Sequence, residues 1–137
     1  MKHTLRRRGA SMLESVLVLI VFLSILIGSL DLGQVLFFHQ ALVERARNAV
    51  RYGAVRTYNA TEITNMVLYN QPTAPTGRTT GDFGLTTSHV TVTRQSASTN
   101  DDRIVVTIAN YRFRFFSPLI AKIATAKPIM ASMPYEL

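Results

Sequence analysis

At 137 residues, 47% of them hydrophobic and none of them cysteine, the chain is long enough for one small domain with a modest core; a disulfide framework, a thiol nucleophile and a Cys-based metal site are excluded. The formal charge of +7 invites a polyanionic partner, but Lys2, Arg6, Arg7 and Arg8 supply four charges ahead of Gly9, and the remainder sets eleven basic against eight acidic side chains, or +3. A cationic cluster directly before an apolar run is what membrane topology requires, so the charge reads as orientation and not as nucleic-acid binding.

From Ser15 to Leu30 the chain is uncharged and apolar all round, with Asp31 closing the run. Sixteen residues give about 24 Å of helix, short of a ~30 Å hydrocarbon core. Ala10 to Leu13 and Leu32 to Phe38 extend it to a span, provided that Glu14 or Asp31 is masked or lies at an interface. The arginine triplet predicts a cytoplasmic N-terminus and export of everything after the span. Beyond Asp31 the pattern becomes amphipathic: Val35, Phe38, Leu42, Val43, Ala46, Ala49, Val50 and Gly53 recur at three- and four-residue spacing, while Glu44, Arg45, Arg47, Arg51 and Arg56 fill a solvated face. One continuous helix from about Ser11 to about Val55 is predicted, which Gly28 and Gly33 would loosen at the membrane boundary.

A second helix starts near Asn59, with an N-x-x-E cap to Glu62 and an apolar stripe of Ile63, Met66 and Val67, and ends before Gln71-Pro72. Pro72 to Gly84 is a surface loop rich in Pro, Thr and Gly. The remainder is β: a strand at His89–Thr93, a polar turn around Asn100-Asp101-Asp102, and a long strand from Ile104 to Phe115. In that strand the apolar parity switches, which predicts a bulge or bend near Ala109-Asn110. Ser117-Pro118 opens a short helix through Lys122 or Ile123, and a last strand covers about Lys127 to Met133. The fold class is α+β, with a long N-terminal helix, a short second helix and a small antiparallel sheet of about three strands.

No catalytic constellation is present in this sequence. His3, His39 and His89 lack metal-ligand spacing, no G-x-S-x-G element accompanies a serine, and the glycines at 77, 81 and 84 are not followed by Gly-Lys-Ser/Thr. Asp101 and Asp102 are adjacent residues of a polar turn, better suited to capping than to catalysis. Tyr111-Arg112-Phe113-Arg114-Phe115 puts aromatics on one strand face and arginines on the other, as a half-buried strand does, and lacks the glycines of an RNA-recognition motif. No enzyme, cofactor, metal or nucleic-acid partner is expected.

Two explanations compete for Glu14. Ser11-Met12-Leu13-Glu14 is a capping-box pattern, but a carboxylate at the mouth of a membrane run also wants a cation. The order Arg6-Arg7-Arg8-Gly9-Ala10, then Glu14 at the fifth position after Gly9, resembles the type III signal of type IV prepilins and pseudopilins. Gly28 to Leu36 resembles the acidic-hydrophobic-Gly element of TadE-like proteins of the tight-adherence pilus system. Gln40-Ala41-Leu42 and Ala46 to Ala54 resemble the Ala- and Arg-rich stretch that follows it there. The resemblance implies a pilin-like protein with a basic leader (1–9), a transmembrane helix (10–34) and an exported α+β domain (35–137). It implies cutting by a prepilin peptidase between Gly9 and Ala10, residence in the bacterial inner membrane, and partners among pilin or pseudopilin subunits, the assembly platform and lipid. Glu14 would set register by pairing with a neighbour's α-amine, and Arg6, Arg7 and Arg8 would set topology. Ala10 stands where type IV pilins commonly have phenylalanine, a departure that bears on N-methylation, and Ser15 where major Flp pilins have tyrosine, which points away from the bulk fibre subunit. An unprocessed single-pass binding or sensor module is the competing reading.

Overall fold

The computed structural model describes residues 3–115 and 123–136. Its dominant element is α1 (His3–Ala54), one unbroken helix of 52 residues, about 78 Å long at ~1.5 Å per residue. It begins eight residues before the expected start, because nothing in the leader stops a helix: Leu5 and the arginines favour it, and a single Gly9 costs only about 1 kcal/mol. Gly28 and Gly33 do not interrupt it either. Each is an isolated glycine flanked by helical hydrogen bonds on both sides.

The C-terminal third of α1 carries the domain. Leu42, Ala46, Ala49, Val50 and Ala54 are buried, as the three- and four-residue spacing predicts, while Glu44, Arg47, Arg51 and Arg56 stay exposed. Gly53 sits at the tightest contact. A Cβ there would lie 2.6 Å from Ile63 Cδ1 and 3.1 Å from Ile104 Cδ1, so the bare backbone is what lets a second helix and the sheet close on α1 together.

That second helix, α2 (Ala60–Tyr69), is capped as predicted: the Asn59 side chain accepts from the N–H groups of Thr61 and Glu62 and donates to Glu62 Oε1 at 2.9 Å. Asn70 ends it in the left-handed conformation. Ile63 and Val67 enter the core together with Leu68, and Met66 packs at its edge.

Among the described residues five short strands follow: β1 (Val90–Gln95), β2 (Arg103–Ile108), β3 (Arg112–Arg114), β4 (Ile123–Thr125) and β5 (Ile129–Pro134). β1, β2 and β5 form an antiparallel sheet in the order β1-β2-β5, with Val92, Val106 and Ala131 in register, and β3 pairs with β4 as a separate ribbon. Ile104, Val106 and Ile108 point from the central strand into the core, each completely buried. The long strand expected from Ile104 to Phe115 is thus two strands, and the expected bend is a break. The N–H of Ala109 still reaches the His89 carbonyl at 2.9 Å, and Asn110 then turns the chain at φ = +59°, a conformation asparagine tolerates better than most residues. The short helix expected from Ser117 lies outside the described residues up to Lys122. Ile123, one of the two ends predicted for it, already belongs to β4.

The C-terminus is tied back onto the helix side of the domain. Tyr135 N–H donates to the Asp102 carbonyl, Glu136 N–H to the Ala54 carbonyl, and the Tyr135 hydroxyl accepts from Tyr58 N–H. Arg94 lies over the Tyr135 ring at 4.1 Å and grips Asp102 through two nitrogens, at 2.9 and 2.6 Å. The adjacent pair Asp101-Asp102 is therefore structural: Asp101 pairs with Arg103, and Asp102 also accepts from Ser98 N–H. Hydrogen bonding from Arg94 holds the Asp102 carboxyl below its ordinary value. Since the unfolded chain then takes up its proton first, this latch stabilises the fold at neutral pH and is lost only as the pH falls below about 4.

Candidate functional site

Every residue singled out for processing, register or topology lies on α1. Positions 6–10 occupy its first turns, and Glu14 follows one turn after Ala10. Ser11 therefore does not cap a helix here. Its N–H is already inside the helical ladder, its carbonyl accepts from the Ser15 hydroxyl at 2.9 Å, and Ser11 and Glu14 form no capping box. Glu14 is exposed on a shallow groove with Ser15, Val18, Leu19 and Phe22, and among the described residues no cation pairs with it.

Past Glu14 the helix projects away from the domain. Thirteen large apolar side chains from Met12 to Leu30 are each at least 42% exposed. At about 1.5–3 kcal/mol for burying each one, water is the wrong surrounding by tens of kcal/mol. This part of α1 is apolar and long enough to cross a membrane. Its hydroxyls suit such a setting: Ser24 donates to the Ile20 carbonyl and Ser29 to the Leu26 carbonyl, both at 2.8 Å, so neither needs water. The two acidic residues bounding the run behave differently. Asp31 is 2% exposed and engaged within the protein, which meets the masking condition, whereas Glu14 faces outward.

At the other end of the run, one arginine departs from the expected solvated face. Arg45 is mostly buried; its Nη2 donates to Asp82 Oδ2 at 2.8 Å and its guanidinium lies 5.6 Å from the centre of the Phe83 ring. Arg78 binds the other Asp82 oxygen at 3.0 Å. These hydrogen bonds, Arg45's foremost, hold the Asp82 carboxyl below the usual carboxylate range. The sequence carries no signal for this contact, because Asp82 lies 37 residues away in a loop of unremarkable composition. His39 Nδ1 lies 3.3 Å from the Tyr111 hydroxyl. Tyr111 is buried and Arg112 exposed, as the alternation of that strand requires. Among the described residues no three His, Asp or Glu side chains gather where they could hold a metal ion.

Residues 9–51 match the family of TadE-like proteins, a match that starts at Gly9, takes in Glu14, Asp31 and the amphipathic turns as far as Arg51, and covers about a third of the chain. No curated protein and no solved structure matches the chain. The matched segment lies wholly within α1.

Proposed function

We propose that this TadE-like chain is a membrane-anchored minor pilin or pseudopilin that takes part in assembling or initiating a tight-adherence pilus. The observation that carries the reading is the coincidence of one long helix, apolar and uncovered in its first half and packed on a small domain in its second, with the segment matched by the TadE-like family. Such a family is structural and not catalytic, in keeping with a sequence that presents no catalytic constellation.

In this reading residues 1–9 are a cytoplasmic leader, held inside by Arg6, Arg7 and Arg8. A prepilin peptidase cuts between Gly9 and Ala10. Residues 10–34 cross the inner membrane and residues 35–137 form the exported domain. Cutting there creates an α-amine one helical turn before Glu14, so that each mature chain carries a cation and a carboxylate at the same end of its apolar helix. When apolar helices pack side by side, the carboxylate of one chain meets the amine of the next, and the pair fixes their axial register in a medium where neither charge is tolerated alone. Partners are the peptidase, neighbouring pilin or pseudopilin subunits, the assembly platform and lipid. Deleting the chain from its bacterial host is expected to remove surface fibres and fibre-dependent adhesion, with both restored by the full-length chain. Normal fibres and adhesion in the deletion strain would contradict the reading.

A further inference from the structure

The exposed apolar surface of α1 does not end where its uncharged run ends. Asp31 turns no charge outward, and beyond it Leu32, Leu36 and Phe37 are 64, 58 and 64% exposed. Asp31 is the sole acidic residue between Glu14 and Glu44, and no Lys or Arg occurs between Arg8 and Arg45. The stretch without outward acidic or basic charge is thus residues 15–43, about 43 Å of helix. That length matches a bilayer together with its headgroup layers, about 40–45 Å, and exceeds the ~30 Å hydrocarbon core. Phe37 and Phe38 stand about 34 Å from Ser15 on this scale, at the level where aromatic side chains gather at a membrane–water interface.

A second element reaches the same level. The 3-10 turn Asp82–Gly84 sets Phe83 edge-on against Phe38, with ring centroids 5.4 Å apart, and Phe38 meets Phe37 at 6.1 Å. Phe83 holds φ = +59°, a costly conformation for an aromatic residue, and yet its side chain remains 39% exposed. Strain that does not bury the ring needs another return. The turn is held by Asp82 between Arg45 and Arg78, which neutralises its carboxylate, and exposed Arg112 lines a small cavity with Phe38 and Phe83. Three arginines against one carboxylate leave the surroundings of the ring cationic.

We propose that the Asp82–Gly84 turn is a membrane-interface anchor: Phe83, with Phe37 and Phe38, sits in the headgroup layer of the leaflet on the exported side, and Arg112 meets lipid phosphate there. The exported domain is then seated on the bilayer instead of standing clear of it. This rests on the membrane-spanning part of the function proposed above. Lipid is the occupant because the aromatic patch continues the uncovered apolar surface of α1 without a charged break, and because its cationic rim complements anionic headgroups. A second copy of the same patch would bring arginines against arginines.

The sequence contains no tryptophan, so single substitutions create clean depth reporters. Leu30→Trp, Phe83→Trp and Met130→Trp in the full chain would each be reconstituted in phosphatidylcholine–phosphatidylglycerol vesicles containing lipids brominated either near the headgroup or near the chain end. Leu30, 63% exposed and about 22 Å along the helix from Ser15, marks the middle of the bilayer. Met130, 71% exposed on β5, serves as the aqueous reference. The expected result is quenching of Leu30→Trp by deep bromines, and of Phe83→Trp by shallow bromines in preference to deep ones. Acrylamide should reach Phe83→Trp at least threefold less well than Met130→Trp. Phe37→Trp, at a more exposed position, repeats the test should Phe83→Trp fail to fold, and is expected to show the same shallow quenching. If Leu30→Trp is quenched by deep bromines while the interface reporters respond to acrylamide as Met130→Trp does, the anchor is overturned and the span stands. Protection of these reporters from both quenchers until dilution into excess lipid would mean a protein contact, and also overturns it. Escape of Leu30→Trp from deep bromines would overturn the span and the anchor with it.

Discussion

Glu14→Ala is expected to leave cutting after Gly9 unchanged and to reduce surface fibres about tenfold. An unpaired carboxylate costs roughly 2.5–3.5 kcal/mol at the centre of a membrane helix, and less at the end of the apolar run where Glu14 stands. A subunit whose Glu14 pairs with an α-amine on assembly recovers part of that free energy, and at about 1.4 kcal/mol per factor of ten, half of it corresponds to about tenfold. Glu14→Gln keeps the shape of the side chain and removes the charge, so it should fail almost as badly as alanine. Quantifying sheared fibres against the processed protein in the same cells separates assembly from maturation. Wild-type fibre levels with Glu14→Ala would deny Glu14 a role in register. In the uncut chain the helix begins at His3 and passes through Ser11 without an end to cap, so capping by Glu14 is open only to the cut chain.

The largest effect on stability is expected from Ile104→Ala. Ile104 is completely buried at the centre of β2, and its Cδ1 reaches the Gly53 backbone at the contact where α1, α2 and the sheet converge. Truncation there removes three carbons and leaves a cavity that alanine cannot fill and that rigid neighbours cannot close, a loss of about 2–5 kcal/mol. For a domain of roughly 100 residues this lowers Tm by about 10–30 °C. Met130→Ala, on the neighbouring strand but 71% exposed, should change stability by less than about 0.5 kcal/mol. Thermal unfolding of the detergent-solubilised full chain, followed by near-ultraviolet circular dichroism, distinguishes the two. Equal melting temperatures would mean that the convergence at Gly53 is not the centre of the core.

The helices were legible from sequence because their signals are local. The spacing of Leu42, Ala46, Ala49 and Val50 named the buried face of α1, and Asn59 with Glu62 named the start of α2. Alternation likewise placed Ile104, Val106 and Ile108 on one face of β2. What the sequence hid depends on pairing across distance. Whether the parity switch after Ile108 is a bulge or a break depends on β3 having β4 as a partner of its own, and that partner is only three residues long. Arg45 looked like one more solvated arginine, since its place in the structure is decided by Asp82 in a distant loop. The start of α1 differs for another reason: Ser11 with Glu14 matches a pattern that opens helices, while the leader before it, Gly9-Ala10 included, carries no signal strong enough to stop one. Of the candidate site, Gly9, Ala10 and Glu14 could be named from their order along the chain. The extension of the uncovered surface to Phe37 and Phe83 could not, because it required knowing that Asp31 is enclosed.

The N-terminus of the protein extracted from its native membrane is the most direct measurement of the pilin reading. Intact-mass spectrometry with N-terminal peptide sequencing should find a chain that begins at Ala10 and retains the whole apolar helix, converting to a chain that begins at Met1 when Gly9 is replaced by a bulky residue. A wild-type chain that keeps Met1 in a host with active prepilin peptidase, or one cut beyond Leu30, would contradict it.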